Sequence, residues 1–330
     1  MNWESIIGSG ISAGIGTEAI AYGLAAIGLN LHFGYTGLLN FGQAAFLLAG
    51  AYGLGITVTI AGLPFWLGII VGLLAAVVLA LVLGLPTLRL RTDYLAIATI
   101  ATAEVLRLIV RSSTMREYTN GSDGLTGFTS SFYALNPYPD GRFGGLGIYF
   151  SGRELWVMTI GWILVALACV LVWLLVRSPW GRVLRAIRED EDAVRALGKN
   201  VYAYKMQALV LGGVLGAVGG MVFVTSRGTV QPDTYATELT FFCYTILLLG
   251  GAARVFGPVV GAMIFWAVLV LADQLLRGFI SAGIIPSGLL STNEVGQVRF
   301  MIVGVALMVL MIFRPQGIFG DKKELAIDGR

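Results

Sequence analysis

Phe65-Trp66-Leu67-Gly68-Ile69-Ile70-Val71-Gly72-Leu73-Leu74-Ala75-Ala76-Val77-Val78-Leu79-Ala80-Leu81-Val82-Leu83-Gly84-Leu85-Pro86-Thr87-Leu88 carries no ionisable side chain along its whole length. A helix needs about 20 mostly apolar residues to cross the hydrocarbon layer of a bilayer, so this stretch reads as a membrane span. Working outward, the same test marks 13–33, 36–60, 94–112, 155–176, 204–225, 239–252, 258–276 and 297–313, for nine candidate spans in all. The segment 239–252 is short for an untilted crossing, and 36–60 is interrupted by Gly37, Gly42 and Gly50, so either is a candidate for a broken or re-entrant helix. The fold class that follows is all-α: a polytopic transmembrane bundle of roughly nine spans (eight to ten), forming a single domain over residues 1–330.

Composition agrees. Hydrophobic residues make up 57% of the chain and charged ones 12%, against about 25% charged in soluble domains. The 45 glycines suit a tightly packed bundle, because small residues let helix backbones approach closely in lipid. A net charge of +3 gives no reason to expect a nucleic-acid partner. Cys169 and Cys243 lie in apolar runs with no Cys or His nearby, which argues against a disulfide framework and leaves no metal site to expect. Residues 1–14 lack a positively charged region ahead of an apolar one, so the first span, not a cleaved leader, is expected to direct membrane insertion.

Lys and Arg in short loops stay on the cytoplasmic side. Arg177, Arg182, Arg185, Arg188, Arg195, Lys199 and Lys205 therefore place 177–203 in the cytoplasm. Counting spans puts Arg89, Arg91, Arg254 and the 314–330 tail with Arg314, Lys322 and Lys323 on that side too, and puts the N-terminus and the 113–154 loop outside. That loop is dense in turn residues, in Asn120-Gly121-Ser122-Asp123-Gly124 and Asn136-Pro137-Tyr138-Pro139-Asp140-Gly141, and carries Phe132 and Tyr133, so it reads as an ordered cap.

Within the cytoplasmic stretch, Pro179 follows a span, and Val183, Ile187, Val194 and Leu197 recur at helical spacing before Gly198. A short amphipathic helix is expected. Basic amphipathic helices commonly lie on anionic lipid, but Glu189, Asp190, Glu191 and Asp192 would be repelled there and suit a protein partner better.

Here the sequence resembles a known family. Asp192-Ala193-Val194 followed by Gly198 keeps the spacing of the Glu-Ala-Ala-x-x-x-Gly signature of ABC importer permeases, with Asp and Val as departures. Gly34-Tyr35-Thr36-Gly37-Leu38-Leu39-Asn40-Phe41-Gly42-Gln43-Ala44-Ala45-Phe46 and Leu249-Gly250-Gly251-Ala252-Ala253-Arg254-Val255-Phe256-Gly257-Pro258-Val259-Val260-Gly261-Ala262 are similar to the early and late Gly-rich helices of permeases for branched-chain amino acids, the LivM and LivH type. The long outer loop favours LivM. The resemblance implies a bacterial plasma-membrane transport subunit that works with a second homologous permease subunit (LivH-like), two cytoplasmic ATPase subunits and an extracytoplasmic binding protein. It also implies that Arg188, Glu189, Asp190, Glu191, Asp192, Ala193, Ala196 and Gly198 couple to the ATPases.

Asn40 and Gln43 are three apart on one helix face beside Phe41 and Gly42. These four either line a passage for a small zwitterion or, through their amides, pin helices together. Glu104 and Arg107 can pair on one face, whereas Glu18 and Asp273 have no obvious partner. His32 has no carboxylate cluster around it, so packing is its expected role. Gly250, Gly251 and Gly257-Pro258 around Arg254 read as a tight turn, either a plain hairpin or a second partner contact. Tyr35-Thr36-Gly37-Leu38-Leu39 and Tyr244-Thr245-Ile246-Leu247-Leu248 form a faint echo that raises an internal repeat.

No Gly-x-x-x-x-Gly-Lys-Ser/Thr run, metal-spaced set or Gly-x-Ser-x-Gly elbow is present. The expectation is a non-enzymatic subunit that binds no cofactor, touches membrane lipid and depends on ATP used by its partners. Leucine, isoleucine and valine are the cargo implied; urea or short amides fit almost as well. The rival from another class, an ion-coupled secondary transporter, would have only Glu18 and Asp273 to work with.

Overall fold

The computed structural model describes residues 3–90, 92–145, 147–282, 294–314 and 316–320. Arg91, Lys322, Lys323 and the tail beyond Gly320 lie outside the described residues. The first apolar run forms α1 (Trp3–Ile15) and α2 (Thr17–Leu29), joined at extended Gly16, and ends in a π-helical turn, Asn30–Tyr35. It starts earlier than the expected residue 13. The small residues that lower its hydropathy are contact points: Gly10 lies on Leu271 and Gly14 on Met263.

After a non-helical stretch over 37–42 come α3 (Gln43–Thr59), α4 (Phe65–Thr87) and α5 (Thr92–Arg111). The 113–154 loop is ordered, as its turn residues suggested. It holds α6 (Arg116–Thr119), β1 (Leu125–Thr126), α7 (Ser130–Tyr133) and an antiparallel hairpin of β2 (Arg142–Gly145) and β3 (Ile148–Ser151). Ser151 and Glu154 then form a capping box that starts α8 (Gly152–Arg177). Beyond it run α9 (Pro179–Glu189), α10 (Glu191–Ala196), α11 (Val201–Arg227), β4 (Thr229–Val230), α12 (Thr237–Gly250), α13 (Gly257–Ser281) and α14 (Val295–Phe313). Antiparallel pairing of Leu125 with Val230 and Thr126 with Thr229 fastens the loop to the end of α11.

Each of the nine expected spans coincides with a helical segment. Among the described residues, five segments are long and apolar enough to cross a membrane: 3–35, α4, α8, α11 and α13. Helices α3 and α12 are shorter, in line with the expected breaks, and α5 carries Asp93, Glu104, Arg107 and Arg111. The bundle is built around α2 and α11. In the most apolar window of α11, 78% of residues are buried, against 33% for α4, whose outer side bears Ile70, Leu74, Val78 and Val82. Those exposed apolar side chains are the lipid face.

The two ends of the bundle differ in charge. One gathers α9, α10, Arg89, the 251–256 turn and Phe319 around shared recesses. The other holds the loop, with Gly147 against Gly8 of α1 and Tyr133 Oη donating to the Thr225 carbonyl at 2.8 Å. Of the basic residues expected on one side of the membrane, Arg89, Arg177, Arg185, Arg188, Arg195, Lys199, Lys205 and Arg254 are thus brought to one end, with the N-terminal helix starting at the other.

Candidate functional site

The break at 37–42 holds the sequence-predicted path residues Asn40, Phe41 and Gly42, and Gln43 opens α3 directly after it. Non-helical backbone at membrane depth must find its hydrogen bonds inside the protein, and here side chains supply them. Phe41 N donates to Thr99 Oγ1 of α5 at 3.0 Å, Ala44 N to Thr240 Oγ1 of α12 at 2.9 Å, and Gly42 N to Asn40 Oδ1 at 2.9 Å. Tyr244 Oη donates to the Asn40 carbonyl at 3.1 Å. Gly42 itself touches the Thr99 carbonyl, where a Cβ would collide.

Asn40, Gln43 and His32 are fully buried and spend their polar atoms on one another and on the central helices. Asn40 Nδ2 lies 3.0 Å from His32 Nδ1 and 3.4 Å from Gln43 Oε1. His32 Nε2 faces the Leu209 carbonyl at 3.1 Å; a carbonyl only accepts, so Nε2 carries the proton and Nδ1 accepts from Asn40. Gln43 Nε2 donates to the Ala25 carbonyl at 3.1 Å and the Gly212 carbonyl at 3.4 Å. The Phe41 ring, half-buried, stacks on Tyr244 at 4.5 Å and lies beside exposed Phe241. The break thereby ties α2, α3, α5, α11 and α12 into one node. His32, Thr99, Thr240 and Tyr244 were not singled out as its members by sequence. The two stretches of the faint repeat meet near this node in unlike conformations, one at the helix break and the other inside continuous α12.

Below the node sit α9 and α10. The single helix expected over 178–198 is two, because Asp190 adopts an extended conformation and its side chain accepts from Ala193 N at 3.0 Å, capping a new helix. Leu184, Ile187 and Val194 are buried with Val201 and Ala208 of α11. Leu197, expected on that apolar side, is instead 80% exposed, since the chain leaves the helix there and Gly198 turns at φ +76°. Ala193 and Ala196 are exposed beside it.

The acidic run is unequal in use. Glu191 accepts from Arg195 at 2.9 Å and pairs with Lys205 of α11, and Asp192 pairs with Arg195 at 2.8 Å. Glu189 is exposed and makes no ion pair among the described residues. Arg188 Nη1 donates to the Gly34 carbonyl at 2.6 Å. Gly37, at φ +74°, brings the start of the break against the Arg188 backbone, a conformation glycine adopts without strain. The 251–256 turn is fixed to the same place: Asn30 Nδ2 donates to the Arg254 carbonyl at 2.8 Å, and Asn30 Oδ1 accepts from Ala253 N at 2.9 Å. Ile318 N and Phe319 N reach the carbonyls of Leu249 and Gly250, covering the end of α12.

The carboxylates singled out by sequence in the spans, Glu18, Glu104 and Asp273, are all paired. Glu104 accepts from Arg107 as its spacing predicts, and Arg107 also reaches Asp233 at 2.8 Å. Glu18, partnerless by sequence, meets Arg227 at 2.8 Å. Asp273 holds Arg277 at 2.8 Å and Arg299 at 3.2 Å; the first was legible at four-residue spacing. Among the described residues no group of three or more His, Cys, Asp or Glu is placed to hold a metal ion.

The family model of the branched-chain amino acid transport system permease component matches residues 11–312. The high-affinity branched-chain amino acid transport system permease protein LivM of Escherichia coli (strain K12) is 29% identical over 326 residues, covering 96% of this chain and 71% of that one. A probable branched-chain amino acid transport permease protein LivM of Methanocaldococcus jannaschii is 27% identical, with 91% of each chain covered. The ribose import permease protein RbsC of Escherichia coli (strain K12) is 33% identical over 165 residues, 48% of each. The chain belongs to the branched-chain amino acid transport permease family and is a multi-pass inner-membrane protein.

Proposed function

We propose that this permease is one of two homologous membrane subunits of an ATP-driven importer for leucine, isoleucine and valine. Two cytoplasmic ATPase subunits seat on α9–α10, and an extracytoplasmic binding protein delivers cargo at the loop end. The chain itself binds no cofactor and catalyses no reaction; ATP is spent by the partners. The observation that carries this reading is the elbow at Leu197, an exposed apolar knob with Ala193 and Ala196, on helices that bear directly on the node.

Force applied to α9–α10 has two mechanical routes into the bundle, Arg188 to the start of the break and Glu191 to Lys205 on α11. Rigid displacement of these helices moves the node, and with it Phe41 against α12. This is the kind of alternation transporters use. In this scheme Asn40, Gly42 and Gln43 shape the path by holding the break, while Phe41 presents a ring along it.

Uptake of radiolabelled leucine into vesicles carrying the assembled transporter should require internal ATP and survive collapse of proton and sodium gradients. Uptake that persists without ATP and dies with the gradient would assign the chain to ion-coupled transport instead. The pairing of Glu18 and Asp273 with arginines favours the first outcome. Excess unlabelled isoleucine or valine should compete; competition by urea, acetamide or ribose alone would change the cargo.

Burying a leucine side chain contributes about 2 kcal/mol, so Leu197→Asp should weaken ATPase association by roughly 30-fold while leaving the permease folded and inserted. Co-purification at the wild-type ratio would remove Leu197 from the docking surface.

A further inference from the structure

The split at Asp190 separates the charges of the coupling segment. Two acids of the run, Glu191 and Asp192, lie on α10 and a third, Asp190, caps it, whereas the arginines of α9 gather on the other side of the elbow. There, a recess of about 490 Å³ is lined by Arg177, Arg185, Arg188 and Arg254, with Glu189 as its one carboxylate among the described residues. Arg185 and Arg188 donate to neutral carbonyls, those of Val176 and Gly34, and neither forms an ion pair among the described residues. Arg177 lies over the Trp173 ring at 4.1 Å.

The position of the recess identifies what fills it. It opens at the last turn of α8, where the lipid-facing stripe of Leu167, Val170 and Leu174 runs down to exposed Trp173. Tryptophan at such a boundary marks the headgroup level of a bilayer, and basic pockets between membrane helices hold anionic headgroups. The far rim is apolar and aromatic too, with Phe256 and Phe319 exposed. A soluble anion would have no use for these flanks, and a phospholipid has use for both parts.

We infer that this recess is a binding site for an anionic glycerophospholipid, its phosphodiester among Arg177, Arg185 and Arg188 and an acyl chain along the outer stripe of α8. The site needs only that α8 crosses the membrane and does not depend on which cargo is carried. A lipid held there touches Arg188, so its occupancy bears on the seat between α9 and the break.

The test uses the full chain in nanodiscs of equimolar phosphatidylglycerol and phosphatidylcholine, released for native mass spectrometry. The wild type should retain phosphatidylglycerol selectively. Arg177→Gln with Arg185→Gln should lower that retention by about 30-fold, at roughly fivefold per arginine at a membrane surface. Arg182→Gln, exposed on α9 but outside the recess, should retain lipid as the wild type does. Equal retention of the two lipids, an undiminished double variant, or an Arg182→Gln loss as large as the double variant's would each overturn the assignment. So would inorganic phosphate stabilising the lipid-free protein in detergent as strongly as phosphatidylglycerol does, or the double variant losing ATPase co-purification with lipid selectivity intact. Size-exclusion profiles of all variants, together with the retained phosphatidylcholine, separate loss of the site from loss of the fold.

Discussion

Gly212→Val is expected to abolish the folded permease. At this position α11 crosses α2 with no room for a side chain: a Cβ would meet the His32 ring and the Gly28 carbonyl, and Gly28 faces the Gly212 carbonyl in return. Backbone cannot step aside as a flexible side chain can. Overpacking of a rigid contact costs about 3 kcal/mol or more, and separating these helices would also stretch the bonds from His32 to Leu209 and from Gln43 to Gly212. The variant should aggregate on size-exclusion chromatography in mild detergent. Gly127→Val, at a glycine with open space around it, provides a contrast in which only local backbone strain is introduced. A monodisperse Gly212→Val protein with wild-type melting would show that the bundle tolerates a side chain at the α2–α11 crossing.

Arg188→Ala is expected to separate ATP hydrolysis from uptake. The bond from Arg188 to the Gly34 carbonyl is the direct polar link between α9 and the start of the break. A charged hydrogen bond of this kind contributes about 1.5–3 kcal/mol, so leucine uptake should fall by about 10- to 100-fold. Co-purified ATPase and its hydrolysis should stay near wild type, because Leu197 and Ala193 lie at the other end of the elbow. Arg188→Lys, which keeps a donor on a shorter reach, should recover part of the uptake. Parallel loss of ATPase co-purification would make Arg188 part of the docking surface and not of the transmission. The Arg177 and Arg185 variants leave this bond in place, so they distinguish a requirement for lipid from one for the link.

Hydropathy made the bundle legible because lipid forces long apolar segments onto any chain that crosses it, and Phe65 to Leu88 states that constraint without interference. Arginine and lysine counts likewise anticipated which segments share an end. Glu104 with Arg107 could be paired because helical spacing places both on one face. What stayed hidden depends on distance along the chain. Nothing near Glu18 announces Arg227, and nothing near His32 announces Leu209, since these partners are brought together only by the crossing of α2 and α11.

The division of the coupling helix was partly readable. Asp190 precedes two acids that suit a first helical turn, but the continuous amphipathic pattern from Val183 to Leu197 outweighed that signal. Periodicity also assigned Leu197 to the buried side, and only the turn at Gly198 exposes it. For the path residues, spacing put Asn40 and Gln43 on one helix face; in the structure Asn40 precedes the helix and reaches Gln43 from the turn before it. Their proximity survived, although the conformation that produces it is different.

The node has a consequence for how the chain is made. Asn30, His32, Asn40, Gln43 and Ala44 all complete their hydrogen bonds with groups in α11, α12 or the turn after them, from Leu209 to Arg254. When the ribosome has delivered only the first two hundred residues, those partners do not yet exist in the bilayer, and the non-helical stretch stands with polar groups that hydrocarbon will not solvate. The amino-terminal third therefore has to wait, in the translocon or beside an insertase, until the second half of the polypeptide arrives.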